Sequence, residues 1–296
     1  MVPALFLYVA LVDNVRGLIA QQNFDAADRQ VRAAASHTGA TPEVAEAFSW
    51  LARGELDAKR YDKADAYATE TRKVADTLLR ARKLDADPVL PIALGASIEV
   101  HAQTLAATGR RAEAVVFLRE QAKLFAGTSV VERIRKNLNV LSLEGKPAPE
   151  LDLSDWIGAK PPTLASLRGK TVLLFFWAHW CVDCKAQAPQ IAELQRIYAP
   201  KGLVVIAPTK FYGYAANGED ASPAVEKPYI DRVRSKFYAS ISPMPVPLSA
   251  ANFQAYGAST VPTLVLIDSS GIVRMYHPGA MPESELSSKI QATLKR

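Results

Sequence analysis

The chain has 296 residues, 49% of them hydrophobic and 22% charged, with a formal net charge of +5. That length suggests two domains, and the composition is that of an ordinary globular protein. Lys and Arg are scattered rather than massed, which argues against nucleic acid as a partner, and no apolar run approaches the roughly 18 residues of a membrane span. Two cysteines in so long a chain exclude a disulfide scaffold. They stand three apart, as Cys181 and Cys184, and form one local pair with redox or metal potential.

Residues 1–12 are mostly apolar and then meet Asp13. They read either as a signal-peptide remnant, though the basic n-region is missing, or as the start of a helix. Residues 13–144 are rich in Ala, Leu, Arg, Glu and Gln, with apolar positions at three- and four-residue spacing. A weak repeat runs through them. Asn23-Phe24-Asp25-Ala26-Ala27 recurs as Arg60-Tyr61-Asp62-Lys63-Ala64, and again as Arg110-Arg111-Ala112-Glu113-Ala114 without the aromatic residue. Each copy marks a turn into a second helix. The pattern resembles tetratricopeptide-type helical hairpins. One hairpin cannot bury its apolar face, whereas a stack of three can, and the stack presents a groove. A peptide or protein held in that groove, and a helical spacer with no ligand, are the two readings of this domain.

Gly145-Lys146-Pro147-Ala148-Pro149 ends the helical pattern, so the expected division is 1–144 and 145–296. Leu151–Trp156 alternates like a short edge strand, with Pro161–Leu164 as its expected hairpin partner. Thr171–Trp177 is almost continuously apolar, as a strand buried on both faces must be. A helix over 185–198, a strand over 203–207, a helix over 225–239, strands over 263–268 and 272–276, and a helix to Leu294 follow. Strands that alternate with helices and close in a hairpin predict a mixed sheet covered on both faces.

Trp180-Cys181-Val182-Asp183-Cys184-Lys185, Pro189 five residues after Cys184, and Thr260-Val261-Pro262-Thr263 before a strand together resemble the thioredoxin fold. The lead-in at Gly145 and the segment Leu266-Ile267-Asp268-Ser269-Ser270-Gly271 resemble the TlpA/ResA-like thiol–disulfide oxidoreductases within it. The resemblance covers 145–296. It implies an α/β thioredoxin domain with a mixed central sheet behind an all-α, tetratricopeptide-like domain. Pro262 is then expected to be cis and to sit against the cysteines, leaving the backbone of Val261 to pair with an extended substrate.

At a strand-to-helix junction, helix N–H groups stabilise a Cys181 thiolate, and Cys184 lies one turn on to resolve the mixed disulfide. Trp180 offers a flat apolar contact. Two carboxylates of the relatives are missing: Phe175 stands where thioredoxins place a buried Asp, and Gln187 where TlpA/ResA-like proteins often carry Glu. Asp183, Gln187, Lys185 and His179 are the candidates for proton handling or for tuning the thiol. Tetrahedral zinc needs four ligands, and no second cysteine pair exists, so no metal is expected, nor any cofactor beyond the Cys181–Cys184 couple. The loop over 209–226 carries Phe211, Tyr212 and Tyr214 and reads either as a substrate lip or as a variable surface loop.

The expected function is thiol–disulfide oxidoreduction on protein thiols and disulfides, supplied by an upstream electron donor, in an extracytoplasmic compartment. The alternatives are a cytoplasmic location, and a partner-binding repeat protein whose thioredoxin-like domain is regulatory or redox-sensing.

Overall fold

The computed structural model describes residues 4–241 and 243–295, which fall into two compact units, Met1–Asn137 and Leu138–Arg296. No helix among the described residues is long and apolar enough to cross a membrane.

The first unit is all helix. Helices α1 (Ala4–Ala20), α2 (Phe24–Thr38), α3 (Pro42–Asp57), α4 (Tyr61–Leu79), α5 (Leu90–Ala107) and α6 (Arg111–Leu124) pack as consecutive hairpins. Of residues 1–12, those before Ala4 lie outside the described residues, and from Ala4 onward the segment is the start of α1. Each copy of the repeat opens the second helix of a hairpin: Phe24, Tyr61 and Arg111 are the first residues of α2, α4 and α6. The alanines of the repeat are the contact points. Ala27 and Ala64 are fully buried, against Val31, Val44 and Leu51 in one cluster and against Ala52, Ala68 and Val100 in the next. Local chemistry fixes the starts. Asn23 and Thr41 side chains accept the N–H groups of Ala26 and Val44, and Pro42 occupies the first turn of α3.

The second unit begins before the expected division at Gly145, within α7 (Val131–Ser142). The last turn of α7 belongs to it for physical reasons. Asn139 donates to Tyr256 O (2.8 Å), Leu143 is buried against the sheet, and Glu144 accepts the Tyr276 N–H (3.2 Å). The 145–148 segment then runs beside the last strand, exchanging hydrogen bonds with Gly271 and Val273.

A two-stranded ribbon comes first. β1 (Trp156–Ile157) pairs antiparallel with β4 (Val246–Pro247), not with the expected partner at 161–164. Pro161 and Pro162 offer no N–H to a ladder, so that hairpin cannot close. The main sheet has β2 (Thr171–Phe176), β3 (Leu203–Ile206), β5 (Thr263–Ile267) and β6 (Val273–Pro278) in the order β3-β2-β5-β6. β2 is parallel to β3 and antiparallel to β5, so the sheet is mixed.

Alternation along β2 shows why its sequence is apolar throughout. Leu173, Phe175 and Trp177 face one layer, with α8 (Val182–Tyr198), α9 (Pro223–Phe237) and α11 (Glu283–Leu294). Val172, Leu174 and Phe176 face the other, where α10 (Ala250–Tyr256) supplies Phe253 and Tyr256. Both rings are fully buried and meet Phe176 at 5.3 and 5.2 Å. Each such ring stabilises the fold by about 2–3 kcal/mol through burial alone.

Candidate active site

β2 delivers the chain to the motif. Trp177, fully buried, donates its indole N–H to Ala207 O (3.0 Å), and the Thr209 hydroxyl donates to Trp177 O (2.8 Å). The strand end is thereby fixed, and Ala178–Trp180 turn into α8. Cys181 is the N-cap of that helix. Its Sγ is bonded to Cys184 Sγ, with the Cα atoms 5.3 Å apart. The Cys184 N–H points at Cys181 Sγ (3.0 Å), so a helix-terminal donor is already aimed at the sulfur that would carry charge on reduction. Cys181 is the outer sulfur, 3% exposed against 0% for Cys184.

The Val261–Pro262 peptide is cis, and Val261 O lies 3.5 Å from Cys181 Sγ. The structure therefore brings together Cys181, Cys184, Trp180, Val261 and Pro262 across 82 positions of sequence. Trp180 is 45% exposed, Val182 75% and Phe237 40%, giving the motif an apolar rim; Lys185 Nζ sits over the Phe237 ring at 4.9 Å.

The candidates for proton handling scatter. Asp183 is exposed on the first turn of α8. Gln187 is buried and wholly engaged: its Oε1 accepts the Met281 N–H (2.9 Å), and its Nε2 donates to Met281 O (3.0 Å) and to Gln190 (2.6 Å). An amide gives both a donor and an acceptor to one backbone unit, which a carboxylate cannot do. Gln187 thus clamps α8 to the turn before α11. Gln187→Ala leaves the buried Met281 N–H and C=O without their partner, and should cost about 1–3 kcal/mol in urea unfolding. Phe175, at the position of the thioredoxin Asp, is fully buried with its ring 6.1 Å from that of Tyr238.

His179 lies beneath the motif. It is 1% exposed, and its Nε2 stands 3.3 Å from Oε1 of Glu226, which is fully buried. Burial pushes the His179 imidazole below the usual histidine range, against the upward pull of Glu226, while Lys185 adds to the lowering. Glu226 was not legible as a site residue. In sequence it is a first-turn carboxylate of α9, an ordinary helix-stabilising position. Only the fold carries it to His179, 47 positions earlier.

A helix-capped sulfur, a buried partner sulfur and a neighbouring peptide edge suit dithiol–disulfide exchange, and the class so defined is the thioredoxin-fold thiol–disulfide oxidoreductase. The chain belongs to the Redoxin family, whose profile matches residues 143–294. It is 30% identical over 147 residues to the thioredoxin-like protein YneN of Bacillus subtilis (strain 168), a match covering 50% of this chain and 78% of that one. Its identity to the thiol-disulfide oxidoreductase ResA of Geobacillus thermodenitrificans (strain NG80-2) is 30%, over 50% of this chain and 76% of the relative. With the thiol:disulfide interchange protein DsbE of Pseudomonas fluorescens biotype C it shares 32%, over 50% and 76%.

Proposed function

We propose that the enzyme works as a reductant of disulfides in protein partners, with Cys181 as nucleophile and Cys184 as resolving thiol. The observation that carries the roles of the two sulfurs is the asymmetry of the pair: Cys181 is the outer sulfur and receives the Cys184 N–H. The Cys181 thiolate attacks a substrate disulfide, and one substrate thiolate leaves. The Cys184 thiolate then attacks Cys181 Sγ in the mixed disulfide. That releases the second substrate thiolate and passes two electrons to the substrate in total. Val261, beside the cis-proline, offers its backbone to an extended substrate segment, and Trp180 offers a flat apolar contact.

An upstream donor must return two electrons to the pair for turnover. Both cysteines are in the couple, so no stray thiol can mispair, which suits an extracytoplasmic setting as well as the cytoplasmic alternative. The helical unit would hold a partner, in a groove of α4, α5 and α6 lined by Arg72, Ile98, His101 and Phe117.

The test is reduction of a disulfide-bonded protein by dithiol-loaded enzyme, compared with Cys181→Ser. Wild type should reduce it and the variant should fall to background. Equal rates would overturn the reading.

A further inference from the structure

A buried polar cluster lies under the motif, and the exchange steps leave it unused. The two carboxylate oxygens of Glu226 accept the N–H groups of Tyr212 (2.6 Å) and Gly213 (2.9 Å), and one of them also faces His179. The imidazole is boxed by the edges of Tyr212, Tyr214 and Tyr229, with ring centroids 5.6, 5.2 and 5.3 Å away. Three elements therefore converge on one carboxylate: the strand-to-helix junction through His179, the 209–222 loop through its backbone, and the first turn of α9.

The loop that is held in this way reaches the rim. Tyr212 stands edge-on to Trp180, the exposed ring beside Cys181, at 5.5 Å. On its other side it meets Phe253 at 6.4 Å, and Lys210 Nζ lies over both rings. Burying a carboxylate costs several kcal/mol unless its oxygens are well satisfied, and here the groups that satisfy it are the loop's own N–H groups. The loop carries glycines at positive φ at Gly213 and Gly218, so its chain has freedom to lose. A wall held in place before binding spares a substrate the cost of ordering it.

We propose that Glu226 is a positioning residue for substrate recognition. Through its bonds to the Tyr212 and Gly213 N–H groups it holds the 209–222 loop, whose Tyr212 and Tyr214 pack on His179, as a fixed aromatic wall beside Trp180. The wall, with the exposed Trp180 and Val182, fits polypeptide disulfides whose cysteine is flanked by an apolar side chain. This rests on the reading of Cys181 as the attacking sulfur. A small disulfide reacts at the sulfur alone and does not reach the wall, so the device acts on selectivity.

Three probes test it: two synthetic peptide disulfides identical except for Phe or Ser beside the cysteine, and oxidised glutathione. Wild type should prefer the Phe peptide. In Glu226→Gln, which keeps one acceptor oxygen but cannot satisfy both N–H groups, the kcat/KM preference for the Phe peptide over glutathione should fall about tenfold, through KM. Tyr212→Ala should lose the same preference, and Glu226→Gln should add nothing in that background. An unchanged preference, an equal loss on all three probes, or additive effects would each overturn the proposal. A wild-type enzyme that reduces none of the probes would instead bring down the function on which it rests.

Discussion

Reduced protein carrying Cys184→Ser should accumulate a mixed disulfide through its one remaining thiol, Cys181, when it meets a disulfide-bonded protein, and reduced Cys181→Ser should accumulate none. The difference follows from placement. Cys181 caps α8 and receives the Cys184 N–H at 3.0 Å, while Cys184 is completely buried one turn inside. A helix-terminal N–H lowers a thiol's pKa from about 8.5 and raises its thiolate fraction. With Ser at 184 the backbone donor remains, so the first attack still proceeds, but no thiolate is left to attack the mixed bond. With Ser at 181 the remaining thiol is the inaccessible one. Non-reducing electrophoresis with mass mapping of the adduct reads the result. An adduct through Cys184 in the Cys181→Ser protein, as abundant as that of the reverse variant, would contradict the assignment.

What the sequence shows of this enzyme depends on the range of the interactions. Thr171–Trp177 announces itself because both faces of β2 are buried, so every position is apolar. The repeat at Asn23, Arg60 and Arg110 marks hairpin turns because a small alanine must meet the neighbouring helix. Cys181 and Pro262 are readable as a pair only through the resemblance, since nothing local joins them. Where contacts are long-range and short elements make them, the sequence is silent. α10 spans seven residues, too few to establish a period, yet its Phe253 and Tyr256 close one face of the sheet. The Ser249 cap and Gly257 at φ 59° are the signals that bound it. The β1–β4 pairing joins two-residue strands 90 positions apart, and no pattern predicts it. Asp183 invites a reading as the substitute for the missing carboxylates and lies exposed on the first turn of α8, while the Gln187 amide is spent on Met281.

Phe175→Asp, which would restore the residue that thioredoxins keep at this place, should destabilise the protein by about 4 kcal/mol or more at neutral pH. The site has been filled for a ring. Phe175 is fully buried, and its neighbours on that face of β2 include the rings of Tyr238 and Trp177, themselves 4.6 Å apart. Loss of the ring leaves a cavity, and the new carboxyl group meets a layer packed with aromatic and aliphatic side chains. Burial favours the neutral acid, so its folded-state pKa should rise above the unfolded value of about 3.9. Below that value both states hold the proton, and only the cavity is felt. As pH rises past it, the unfolded chain releases its proton while the folded protein keeps it, so stability declines until the folded pKa is passed. Urea unfolding of the variant at a series of pH values measures this directly. A loss that is the same at pH 4 and pH 7 would show that the carboxylate finds a charged or donor-rich partner there, and that the site tolerates the thioredoxin residue after all.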